Sequence, residues 1–247
     1  MKILLCGFDG HMGKEVRALT KNGFRGIEIK AGVDINAREG FECPCASDFA
    51  SADADVDCIV DFSNHVCTKE LLAFAKGAKL PLVIATTGQT EQERAEIKAA
   101  AKEIPIFFSA NMSYGVALLV ELAKKTAASM PDAEIEIIEK HHNRKLDAPS
   151  GTAKMLFEAI KEVRPESCAK NGRSGHAKRE QNEIGIHSLR MGNVVGEHEV
   201  IVATNTQTIS LKHEAHSRAI FAEGALVAAE FLCNKGAGLY DMKDLLK

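Results

Sequence analysis

The residues best suited to chemistry lie in one stretch, Glu139-Lys-His-His-Asn-Arg-Lys-Leu-Asp-Ala-Pro-Ser-Gly-Thr-Ala153. His141 or His142 can give or take a proton near neutral pH. Lys145 adds positive charge close by. Ser150 is a good helix N-cap, and Pro149 ahead of it keeps the chain extended. Gly151 and Thr152 then supply the first N–H groups of a helix, with the Thr152 hydroxyl beside them. Such a turn is an anion site, suited to a carboxylate or a phosphate. Neighbouring side chains on a strand face opposite ways, so His141 and His142 share one role only if the strand ends between them. A metal centre would need a third ligand at a recognisable spacing. The chain has no His-Glu-x-x-His or similar pattern, and no metal is expected.

A second chemical feature sits at the other end of the chain. Gly7, Gly10 and Gly13 form G-x-x-G-x-x-G. Glycine allows a tight turn and a close approach of backbone N–H groups to a pyrophosphate. Asp9 stands where the second glycine of the usual dinucleotide fingerprint would be, so the turn alone could be a plain strand-to-helix corner. Asp34 follows Gly13 by 21 residues. An acid at the end of the second strand can accept both adenosine-ribose hydroxyls and would repel a 2′-phosphate. Turn, strand context and acid together favour dinucleotide binding.

The elements that must hold these residues follow from hydrophobic patterning. Residues 2–8, 27–33, 58–62, 80–86 and 104–108 read as short strands. Residues 12–22, 66–76 and 91–102 read as helices, the last with Thr90 and Glu93 placed as a capping box. This alternation predicts a parallel sheet with crossover helices. Beyond Asn111 the style changes. Residues 113–130 read as a helix, 133–142 as a strand and 151–163 as a helix. Residues 164–180 read as a polar loop. Strands are expected at 183–190, 197–203 and 208–213, and an Ala-rich helix at 218–234. The fold class is therefore α/β: a Rossmann-like parallel-sheet dinucleotide-binding domain plus a smaller α+β domain. Ala85–Gly88 and Ser109–Ser113 follow strands at the carboxyl edge, where such sheets bind ligands. Arg190, His213, His216 and Arg218 are second-tier candidates, and the basic loop 170–179 reads as a solvated surface.

Composition sets outer limits. The chain has 247 residues, with 31 Lys plus Arg against 34 Asp plus Glu, a formal charge of −3. That balance argues against a broad cationic nucleic-acid face. No run approaches the ~20 apolar residues of a membrane helix, and no signal peptide or tandem repeat is expected. The seven cysteines are odd in number and irregularly spaced, which suits free thiols in a reducing cytoplasm. Aromatics are 5%, Trp is absent and Gly numbers 19. Ile, Leu, Val and Ala must therefore build the core.

The stretch EKHHNRKLDAPSGTA closely resembles the signature of the bacterial dihydrodipicolinate reductase family, also called 4-hydroxy-tetrahydrodipicolinate reductase. GFDGHMG, VDFSNH, ATTG, SANMSYGV and GLYDMKDLL resemble further family motifs in the expected order. The resemblance implies a dinucleotide-binding domain of residues 1–112 and 218–247. Residues 113–217 would form a substrate-binding and tetramerisation domain. It implies NAD(P)H-dependent reduction of a cyclic, unsaturated dicarboxylate to tetrahydrodipicolinate, in cytoplasmic lysine and diaminopimelate synthesis, by a homotetramer with no membrane or nucleic-acid partner.

Carried over position by position, the resemblance makes His141 the acid-base residue and Lys145 a proton donor. It gives His142, Gly151 and Thr152 to substrate carboxylate. It gives Gly7, Phe8, Asp9, Gly10, His11, Met12, Asp34, Ala85, Thr86, Thr87, Ser109, Ala110, Asn111 and Met112 to the cofactor. Four positions depart from the common pattern. His11 and Ile35 replace frequent arginines, Met112 a frequent Phe and Ala85 a frequent Gly. Asp34 followed by Ile35 implies NADH as the preferred cofactor over NADPH. Two other functions share the glycine turn: another two-domain amino-acid dehydrogenase, of aspartate or homoserine type, and a non-catalytic dinucleotide sensor. Neither accounts for the His-His cluster beside Ser-Gly-Thr.

Overall fold

The computed structural model describes residues 1–53 and 55–247, which divide into two compact units, residues 1–114 with 218–247 and residues 115–217.

Among the described residues, the first unit carries a seven-stranded parallel sheet. Its strands are β1 (Lys2–Cys6), β2 (Glu28–Val33), β3 (Cys45–Ala46), β4 (Cys58–Asp61), β5 (Leu82–Ile84), β6 (Pro105–Phe108) and β12 (Gly238–Tyr240). Their order is β12-β6-β5-β4-β1-β2-β3. The chain leaves β1 towards β2 on one side and later returns to β4 on the other, so a switch point opens at the carboxyl end of β1. The central strands are buried on both faces, which explains their unbroken apolar runs. Leu4, Cys6, Ile59, Leu82, Ile84 and Ile106 pack with Leu71, Leu72 and Ala75 of α2 (Thr68–Ala78) and Ile97 and Ala100 of α3 (Glu91–Ala100). α1 (His11–Lys21) packs on α6 (Ala219–Leu232), which in turn lies on β4, β5 and β6. Small residues let α6 come close: a Cβ on Gly224 would fall 1.7 Å from the Met112 carbonyl oxygen. Thr90 and Glu93 form the expected capping box at α3.

The second unit is a five-stranded mixed sheet among the described residues, ordered β11-β10-β7-β9-β8. Its strands are β7 (Glu134–His141), β8 (Cys168–Asn171), β9 (Glu183–Arg190), β10 (Gly196–Ala203) and β11 (Thr208–Ala215). α4 (Tyr114–Ser129) and α5 (Gly151–Lys161) supply Leu119, Ala123, Leu156 and Ile160 to a core with Ile135, Ile137, Ile184, Ile186, Val200 and Val202. Period-2 alternation therefore puts Glu139 and His141 on the same sheet face as Ile135 and Ile137.

The patterning read from sequence misses three strands: β3, β8 and β12. Each has two to four residues. β8 lies inside the stretch read as a loop and is exposed throughout, so no apolar alternation marks it. It exists because its backbone pairs in parallel with β9. The first strand also stops at Cys6, because Gly7 turns the chain at φ 76°.

Candidate functional sites

In the first unit the glycine turn closes on itself. A Cβ on Gly7 would lie 2.5 Å from the Phe62 carbonyl oxygen, and one on Gly13 would lie 2.2 Å from that of Gly7. Both contacts are to backbone, so any larger residue must displace the chain. Gly10 N-caps α1 without a side-chain hydrogen bond, which aims the helix N-terminus and its partial positive charge outward. A cavity of about 370 Å³ opens here, lined by Gly7, Asp9, Gly10, Asp34, Ile35 and Ser63 among others. A glycine cradle over a bare helix N-terminus, with an acid on its rim, fits a dinucleotide.

Asp34 holds that rim. Its Oδ2 accepts the Asp9 N–H at 2.8 Å and its Oδ1 the Asn36 N–H at 2.9 Å. Ile35 beside it is 86% exposed. The Asp9 carboxylate gathers three cations, Lys14 and Arg38 at 3.5 Å and Arg17 at 3.6 Å. Arg17 also donates to Glu42 at 2.9 and 2.6 Å.

The two other loops expected at the cofactor lie at strand ends of the same sheet. Thr86 is buried and donates to Asp61 Oδ2 at 2.6 Å, whereas Thr87 is exposed. Burial pushes the Asp61 carboxyl up, against hydrogen bonds from Ser63 and Thr86. Ser109 Oγ donates to the Asn111 carbonyl at 2.8 Å, and Asn111 Oδ1 accepts the Ser113 N–H at 2.9 Å. Ala85 is buried, Ala110 and His11 are exposed and Met12 is half-buried. Phe8 is fully buried against Phe41, with ring centroids 4.9 Å apart, and Met112 is 2% exposed. Neither side chain reaches the surface.

In the second unit β7 ends at His141, so His142 lies outside the strand and the face rule no longer separates the pair. His141 Nδ1 is 2.5 Å from Glu139 Oε2. Arg190, at the end of β9, donates to Glu139 through Nη1 at 2.8 Å and Nη2 at 2.7 Å. The Ser150 N–H donates to Glu139 Oε1 at 3.1 Å. Burial opposes ionisation of Glu139, but these donors together hold its carboxyl far below the usual range. Ser150 Oγ caps α5 by accepting the Ala153 N–H at 3.2 Å and shares a hydrogen bond with His198 Nε2 at 3.0 Å. The His198 ring meets that of His141 edge to face, with centroids 5.1 Å apart. Burial, with the neighbouring His141, lowers the His198 pKa to about 4. Lys145 Nζ pairs with Asp147 at 2.7 Å, and Arg190 Nη2 also donates to the Asp147 carbonyl at 2.6 Å.

Thus His141, Lys145 and the Ser150–Thr152 turn belong to one neighbourhood tied together by Glu139 and Arg190. Sequence reasoning gives Glu139 no role, leaves Arg190 in the second tier and overlooks His198. A signal for Glu139 exists: an acid on the apolar face of an alternating strand demands a buried partner. That the partner is Arg190 follows from the parallel pairing of β7 with β9, which sets His141 opposite Arg190.

Comparison with known proteins agrees over both units. The family model described as dihydrodipicolinate reductase, N-terminus, matches residues 1–112, and that described as dihydrodipicolinate reductase, C-terminus, matches residues 115–246. The 4-hydroxy-tetrahydrodipicolinate reductase of Clostridium novyi (strain NT) is 43% identical over 248 residues, covering 100% of this chain and 98% of that protein. That of Caldanaerobacter subterraneus subsp. tengcongensis is 44% identical over 250 residues, with the same coverage of both. Among solved structures, the dipicolinate-bound dihydrodipicolinate reductase from Paenisporosarcina sp. TG-14 superposes with a TM-score of 0.82 at 24% identity. It covers 98% of this chain and 97% of that one.

Proposed function

The chain belongs to the dihydrodipicolinate reductase family. From that premise we propose that it catalyses the NAD(P)H-dependent reduction of 4-hydroxy-tetrahydrodipicolinate (dihydrodipicolinate) to tetrahydrodipicolinate in diaminopimelate and lysine synthesis. One observation carries the proposal: the His141 imidazole, Lys145 and the capped N-terminus of α5 share one neighbourhood of the second unit. A non-catalytic dinucleotide sensor has no use for that combination, whereas reduction of a cyclic dicarboxylate uses all of it.

The residues divide the work by unit. Residues 1–112 and 218–247 hold the dinucleotide, with Gly7, Asp9, Gly10, His11 and Met12 at the pyrophosphate turn and Asp34 at the adenosine ribose. Ala85–Thr87, Ser109–Met112 and Phe8 complete the cofactor site. The bound nicotinamide supplies a hydride. Residues 113–217 hold the substrate: the N–H groups of Gly151 and Thr152, with His142, donate to its carboxylate. His141 gives the proton that the electron-rich enamine takes up after reduction, and Lys145 serves as a second donor beside it.

NADH is the preferred cofactor on this reading. Asp34 would repel a 2′-phosphate, the exposed Ile35 offers it no charge, and Lys14, Arg17 and Arg38 are already paired with Asp9. The same family reading makes the protein a cytoplasmic homotetramer. No helix among the described residues is long and apolar enough to cross a membrane.

The test is a single assay. Freshly generated product of dihydrodipicolinate synthase is added to the protein with NADH, and the loss of reduced-nicotinamide absorbance is followed. Turnover is expected. Turnover with aspartate semialdehyde alone, or cofactor binding without turnover, would overturn the proposal.

A further inference from the structure

Glu139 is fully buried, yet every acceptor position of its carboxylate is taken. Oε2 receives His141 Nδ1 and Arg190 Nη1, and Oε1 receives Arg190 Nη2 and the Ser150 N–H. A carboxylate buried in apolar surroundings survives as an anion only with such donors. The bidentate arginine fork supplies charge and fixes the plane of the group. Arg190 is in turn anchored to the carbonyls of Leu189 and Asp147. His141 thus meets a stationary anion on its Nδ1 side. On its Nε2 side stands Gly196, where a Cβ would come within 3.2 Å of Nε2.

We propose that Glu139 is the positioning residue of the reductase site. It fixes His141 with the proton on Nδ1 and leaves Nε2 as the nitrogen that serves the substrate. The inference rests on the reading of His141 as proton donor. In that step the Nε2–H bond of the imidazolium breaks and the enamine electron pair forms a C–H bond with the proton. The imidazole left behind is the Nδ1–H tautomer, the form whose remaining proton Glu139 already accepts. No proton has to cross the ring, and Glu139 stays ionised throughout. Through the Ser150 N–H the same carboxylate holds the start of α5, so one anion sets both the donor and the carboxylate turn in register.

A purely structural role for Glu139 would stabilise the fold without dictating a tautomer, and the test separates the two. Glu139→Gln keeps size and shape but removes the anion. Histidine ring nitrogens of the full-length protein are followed by ¹⁵N NMR, with His141→Gln assigning the His141 signals. The expected result is an Nδ1–H pattern with a downfield, carboxylate-bound proton in the parent protein, lost in Glu139→Gln. kcat should fall roughly 100-fold, with KM for the dicarboxylate changed by less than about threefold. If Glu139→Gln fails to fold because Arg190 is left unpaired, Glu139→Gln with Arg190→Met removes both charges and takes the same measurements. Persistence of the Nδ1–H pattern, or a kcat within about twofold of the parent, overturns the proposal. A parent-like kcat in His141→Gln overturns instead the assignment of His141 as donor, a failure the NMR result by itself does not produce.

Discussion

The Oδ2 of Asp34 accepts the backbone N–H of Asp9 at 2.8 Å, which ties the acid ending β2 to the turn following β1. A ribose bound at this rim meets a carboxylate whose orientation is set before it arrives. Hydrogen bonds to a charged group contribute about 1.5–3 kcal/mol. Asp34→Ser should therefore lower kcat/KM for NADH by roughly 10- to 100-fold and for NADPH much less. Steady-state kinetics with both cofactors checks this. A parent kcat/KM higher with NADPH than with NADH would remove the cofactor preference.

On the proposed reading Asp9 favours NADH as well, by occupying cations that a 2′-phosphate would need. Its carboxylate draws Lys14, Arg17 and Arg38 within 3.6 Å. Asp9→Asn keeps the backbone N–H that Asp34 uses and frees Lys14 and Arg38 to meet a 2′-phosphate, while Arg17 stays paired with Glu42. KM for NADPH should drop about threefold to tenfold, and the gain should shrink as salt is added, because these side chains are partly exposed. An unchanged NADPH KM at low salt would show that the cluster lies beyond the phosphate's reach.

The glycines are not equivalent. Gly13→Ala pushes a methyl against two carbonyl oxygens, those of Gly7 at 2.2 Å and Phe8 at 2.5 Å. Overpacking of this kind costs about 1–3 kcal/mol, and here it also opens the turn. Gly151→Ala meets nothing within 4 Å and should leave stability within about 0.5 kcal/mol of the parent. Urea denaturation of the two variants gives the comparison, and equal midpoints would contradict the geometry.

Most of the fold and part of the site are legible in the sequence, for reasons particular residues show. The buried runs around Leu4, Ile59 and Leu82 announce parallel strands because both their faces are covered. Ser150 and Thr90 announce helix starts because capping is local in sequence. β8 is hidden because exposed strands such as Cys168–Asn171 carry no pattern of their own. The illegible part of the site is the part made by pairing. Arg190 reaches Glu139 across 51 positions, and His198 reaches Ser150 across 48. No spacing rule links such residues until the sheet order is known.

His141→Gln and Lys145→Ala should each reduce kcat far more than they raise KM, by about 100-fold or more for His141. Lys145 is paired with Asp147, so its loss also leaves that carboxylate to Arg190, and a smaller effect is expected. Proton transfer belongs to the transition state, and on the proposed reading substrate binding rests on the α5 turn. A parent-like kcat in either variant would take that residue out of the reaction.

Acid should loosen the second unit in two stages. His198 titrates at about 4 when folded against about 6.5 when unfolded. Between those values the unfolded chain binds the proton and the folded one does not, so stability is full above about 6.5 and falls as pH drops towards 4. The full difference is about 3 kcal/mol. Glu139 has a depressed folded pKa, so its share holds above the ordinary Glu value of about 4.3 and is lost only below it. His213, also lowered by burial and by His216, adds to the first stage. His198→Asn removes the larger titrating group and should flatten, without abolishing, the decline between about pH 6.5 and 5 while leaving the decline below about pH 4. Urea midpoints across that range decide the matter, and a slope identical to the parent's would show that His198 is not the group responsible.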